Sequence, residues 1–75
     1  MITQINDTKT LWGYSLGTEV AFYGTNAEVI AEVCDLVTEP APNGSPRLMM
    51  TERMTDIFYP RLVKAGYRLA IRDTP

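Results

Sequence analysis

Two β-prone runs meeting at Gly17-Thr18 constrain this 75-residue chain more than anything else in it. Trp12, Tyr14, Val20 and Phe22 are the aromatic and branched residues that suit a pleated strand. Gly17 is free to take the positive φ that a type II′ two-residue turn demands. Thr10 to Tyr23 is therefore expected to be a β-hairpin. That register sets Leu16 against Glu19, Tyr14 against Ala21 and Trp12 against Tyr23 on one face. Ser15 with Val20 and Gly13 with Phe22 take the other. Ile2 to Ile5 is a candidate edge strand, but a very short one.

Thr25-Asn26-Ala27-Glu28 reads as a capping box, a hydroxyl at the cap and a carboxylate three residues on. The helix it opens is expected to run from Asn26 to Thr38, stopped by Pro40. Ile30, Val33, Cys34 and Val37 would then face inward. Pro40 to Pro46 is a turn-rich loop and not a domain linker, since neither flank is long enough to fold alone. Residues 47–50 read either as a short strand or as an early helix start, with the strand preferred. From Thr51 to Ala65 the spacing of Met54, Ile57, Phe58, Leu62 and Ala65 is helical. Pro60 should kink that helix and turn Arg61 out of its apolar side. Gly66 offers a left-handed cap, and Tyr67 to Arg72 alternates as a last strand.

The order β-β-α-(β)-α-β predicts a small single α+β domain spanning 1–75. Its sheet should have three or four strands, mainly antiparallel, with two helices packed on one face. At this length a single core is near its lower limit, so a deep substrate cavity is not expected. The 45% apolar and 21% charged content is that of an ordinary globular chain.

The charge is uneven. Residues 1–46 sum to −5 and residues 47–75 to +3. Such a split suits either a charge-steered contact or two halves that attract each other within the fold. Glu28, Glu32, Asp35 and Glu39 recur at helical spacing, with no Lys or Arg between Lys9 and Arg47. On a helix turning about 100° per residue they would form one stripe about 60° wide. No cation at i+4 relieves them. The ordinary reading is a solvated helix face; the functional one is a negative ridge that docks on a basic surface.

Catalysis finds little support. The chain has no His, which removes the usual base at neutral pH. Ser15 and Ser45 have no evident activating partner. One Cys and no His cannot make a transition-metal site, and helix-borne carboxylates cannot wrap an ion as a ligand loop does. No enzyme activity, metal or cofactor is therefore expected. Gly24-Thr25-Asn26 sits where phosphates often bind, but it lacks the Gly-rich patterns of such sites.

Trp12, Tyr14 and Tyr23 form a second candidate contact. They are core if the helices cover them, and a platform if the helices cover Val20 and Phe22. Burial of large aromatics in small domains favours the core. Stacking of nucleic acid would need a basic groove beside them, and their half of the chain is acidic. Cys34 allows no intrachain disulfide, and Met1-Ile2-Thr3-Gln4 has neither the basic start nor the apolar run of a leader. Cytoplasmic residence is the expectation, with no membrane span.

The function that follows is a non-enzymatic regulatory protein that binds another protein with a basic surface. Glu28, Glu32, Asp35 and Glu39 would steer the encounter, and Trp12, Tyr14 and Tyr23 would supply short-range affinity. One version, resting on size and charge alone, is a phage or mobile-element inhibitor such as an anti-CRISPR. The alternatives are a nucleic-acid-binding regulator using Arg53, Lys64, Arg68 and Arg72, and a homo-oligomeric subunit. Direct nucleic-acid contact is the less expected of these modes.

Overall fold

A computed structural model describes residues 9–73; the candidate strand Ile2–Ile5 lies outside them. The hairpin consists of β1 (Lys9–Leu16) and β2 (Glu19–Tyr23), with Leu16–Glu19, Ser15–Val20, Tyr14–Ala21 and Gly13–Phe22 as partners. Gly17 has φ 84, while Asp35 is the sole described non-glycine residue at positive φ. Thr18 is therefore outside that region, as a II′ turn requires. The pairing stops one step before Trp12–Tyr23. There the Asn26 side-chain oxygen accepts the Trp12 amide at 3.1 Å, fastening the outgoing helix to β1.

That helix, α1, spans Thr25–Cys34. Its cap is Gly24, at φ 64 and ψ −135, and no side chain caps it. The expected capping box is thus absent: Thr25 is already helical and Asn26 is engaged by β1. The helix also ends four residues before the expected Thr38. Asp35 takes the left-handed conformation at φ 59, which a short polar side chain tolerates. Ala27, Ile30, Ala31 and Cys34 are buried along the inner face. Val37, expected to face inward, lies beyond the helix and is 88% exposed.

A two-residue strand, β3 (Glu39–Pro40), turns back onto β4 (Pro46–Thr51). Asn43 Oδ1 accepts the Ser45 amide inside this turn, an Asx-type closure. Residues 47–50 are thus strand, as preferred. Thr51 then caps α2 (Glu52–Lys64), its hydroxyl accepting the Met54 amide at 3.0 Å. Pro60 lies inside α2 and Arg61 is exposed. Gly66, at φ 95, makes the left-handed exit into β5 (Tyr67–Asp73).

The sheet has five strands in the order β3-β4-β2-β1-β5. It is mixed, since β5 runs parallel to β1 from Lys9–Tyr67 to Ser15–Asp73. The expectation of three or four mainly antiparallel strands is corrected on both counts. The cause is the crossover. From Thr51, at the far end of β4, α2 carries the chain back across the sheet, and β5 starts beside the first residues of β1.

Leu11, Val20, Phe22, Leu48 and Met50 form the core with Ala27, Ile30 and Cys34 of α1 and Leu62 of α2. These strand residues share one face of the sheet, so both helices lie on that side. A methyl group at Gly13 would come within 2.5 Å of the Phe22 ring. Gly13 is therefore the slot that lets Phe22 lie flush in the core.

Candidate functional site

Sheet pairing decides which side chains share the uncovered face. Opposite the core residues stand Thr10, Trp12, Tyr14 and Leu16 of β1, and Glu19, Ala21 and Tyr23 of β2. Arg47 and Met49 of β4 join them, with Arg68, Ala70 and Arg72 of β5. Trp12, Tyr14 and Tyr23 therefore do not form the core, and Trp12 is 41% exposed. The core went to Val20 and Phe22, whose side chains carry no polar atom, whereas Trp and Tyr keep their polar tips in water.

Tyr14 and Tyr23 sit diagonally across the hairpin, their ring centroids 6.1 Å apart and tilted by 55°. Ala21, directly opposite Tyr14 in the β1–β2 register, is fully buried beneath these side chains. The parallel strand adds what the hairpin lacks. Arg72, level with Tyr14, carries its guanidinium carbon to 4.1 Å from the centre of the Trp12 ring, a close cation–π contact. Arg68, level with Thr10, donates from Nε to the Thr10 hydroxyl at 3.1 Å. Both guanidinium groups are thus laid over β1, beside the aromatic row.

At the opposite edge of the same face, Glu39 Oε1 and Arg47 Nη2 are 3.5 Å apart. This is the one ion pair among the described residues. It also dissolves the four-membered acidic stripe: Glu39 belongs to β3 and is matched by an arginine, and Asp35 lies past the end of α1. Glu28 and Glu32 remain as an exposed i, i+4 pair in the helix layer. The basic half is divided as well. Arg53 and Lys64 sit on α2, in that same layer, while Arg68 and Arg72 lie on the opposite, open face.

Arg61 has a local task. Its Nη1 donates to the Cys34 carbonyl at 3.4 Å, meeting the negative end of α1. Burial pushes the Cys34 thiol above its ordinary range, and the nearby Arg61 charge opposes this in part. A neutral thiol packed among apolar groups is the expected behaviour of a structural cysteine.

Elsewhere, a cleft of about 420 Å³ opens between the start of α2 and the strands, lined by Ser15, Val20, Glu52, Thr55, Asp56 and Ile71. Among the described residues no three of His, Cys, Asp and Glu gather into a metal-ligating group, and no helix is long and apolar enough to cross a membrane.

No family model, no curated protein and no solved structure matches this chain.

Sequence reasoning named Trp12, Tyr14 and Tyr23 but missed Arg68 and Arg72 as their companions. The available signal was the alternation of β5, which set both arginines on one side. What it lacked was the strand next to β5.

Proposed function

We propose that this protein acts by binding another macromolecule, without chemistry of its own, and that the open sheet face is the contact surface. One observation carries the reading: both helices pack on the Phe22 side, leaving Trp12, Tyr14 and Tyr23 with Arg72 on the uncovered side. Trp, Tyr and Arg are the residue types that dominate binding hot spots. Held on paired strands, they lose little further freedom on association. A regulatory role in the cytoplasm fits a small chain with one buried thiol and no His.

A second reading keeps the acidic helix as a docking ridge for a basic protein, as an inhibitor of nucleic-acid-binding proteins would use. Its support is that Glu28, Glu32 and Asp35 are exposed and without a cationic partner among the described residues. The two readings separate in affinity capture from the native host. Trp12→Ser/Tyr23→Ser should lose the partner and Glu28→Lys/Glu32→Lys should keep it. The reverse pattern would move the contact to α1.

A further inference from the structure

The open face is not only aromatic. Parallel pairing of β5 with β1 sets two rows side by side: Trp12 and Tyr14 on β1, and Arg68 and Arg72 on β5. Neighbouring strands lie about 4.8 Å apart, and residues two apart along a strand are separated by about 6.6 Å. The rows are thus close enough for one extended chain to touch both. Tyr23 extends the aromatic row towards β4.

The fold also sorts the charges. Glu28, Glu32, Glu52 and Asp56 are carried by the two helices, on the other side of the sheet. On the open face Glu39 and Arg47 neutralise each other. That leaves Arg68 and Arg72 against Glu19, which lies at the turn end beside Leu16. Neither arginine is matched by a carboxylate among the described residues. The acidic balance of residues 1–46 therefore does not describe the surroundings of their aromatic residues.

We infer that the open face takes a single-stranded nucleic acid, its bases stacking along Trp12, Tyr14 and Tyr23 and its phosphates following Arg68 and Arg72. This rests on the open face being the contact surface and names its occupant. A row of cations beside a row of rings is what sequence-tolerant single-strand binding requires. A base is received either on the free face of an aromatic ring or on the Arg72 guanidinium plane above Trp12. A duplex keeps its bases stacked inside and offers this face only phosphates.

Trp12 is the single tryptophan of the chain, so its emission reports on the site directly. The test is titration of the intact protein with oligothymidylate and oligouridylate at low salt, with a duplex of equal length alongside. Quenching of Trp12 by the single strands, and weaker binding of the duplex, are expected. Each phosphate contact adds a salt slope of about −0.7, so two arginines should give about −1.4. Arg68→Gln/Arg72→Gln should weaken binding by about tenfold or more and flatten that slope, while Arg68→Lys/Arg72→Lys should retain it. Circular dichroism confirms that each variant is folded.

No quenching by either strand, or equal affinity in a folded Gln variant, overturns the inference. If oligonucleotides fail but Trp12→Ser/Tyr23→Ser still loses a captured protein, the occupant is wrong and the contact surface stands. A dimer in light scattering that this variant dissolves has the same meaning, with a second copy as occupant. If neither oligonucleotides nor the surface variants change anything, both readings fall.

Discussion

The two faces of the sheet use the same strands for opposite ends. On the covered face, Phe22 fits into the space left by Gly13 and meets α1 and α2. On the open face, one residue along, Tyr23 shares its surroundings with Tyr14 and water. Adjacent aromatics in one strand thus separate into a fold-determining residue and a contact residue. Alternation alone divides them.

Truncating each of these neighbours in turn should separate the two faces most widely. Phe22→Ala should cost about 3–5 kcal/mol, enough to unfold much of so small a domain, in urea titration. Tyr23→Ala should cost about 1 kcal/mol or less in the same measurement. Equal losses would mean that the two faces are not distinct.

Next in size is Gly13→Ala. The added methyl group meets the Phe22 ring and should cost about 1–3 kcal/mol by overpacking. Combining it with Phe22→Leu should cost less than the two separate losses together, because the smaller side chain vacates the contact. Full additivity would show that the glycine acts only through the backbone.

Asn26→Ala tests the link between α1 and the open face. Loss of the hydrogen bond to the Trp12 amide should cost about 1 kcal/mol. Faster hydrogen exchange at that amide should accompany it, with little change at Tyr14.

The smallest effect concerns Cys34. Its folded pKa is raised above the ordinary value of 9.0 by burial. The native state therefore holds the proton more tightly than the unfolded chain. This contribution is complete below about pH 9 and is lost as pH rises above it through the folded value. Wild type should lose slightly more stability than Cys34→Ala between neutral and strongly alkaline pH, in matched thermal melts.

How much of this was legible depended on the range of the interaction. The hairpin was readable because Gly17-Thr18 and the alternation around it are local. The exit at Gly66 was readable for the same reason. The partner of β5 was not, since Arg68 and Thr10 meet across nearly the whole chain and no local pattern records a parallel crossover. Pro40 as the stop predicts the end of α1 four residues too late, because Asp35 has already turned left-handed. That error built the four-acid stripe, with Glu39 placed on a helix instead of beside Arg47. The side taken by the helices was ambiguous because both faces of the hairpin carry large apolar groups. Gly13 opposite Phe22 was the overlooked sign, a small residue where a ring needs room.

Trp12 is exposed beside the Arg72 cation while Phe22 holds the core. Collisional quenching of Trp12 emission by iodide and by caesium in the folded protein tests it most directly. Red-shifted emission that iodide quenches far more than caesium is expected, with the ratio of iodide to caesium quenching lowered in Arg68→Gln/Arg72→Gln. Blue-shifted emission that neither ion reaches would place Trp12 in the interior and contradict it.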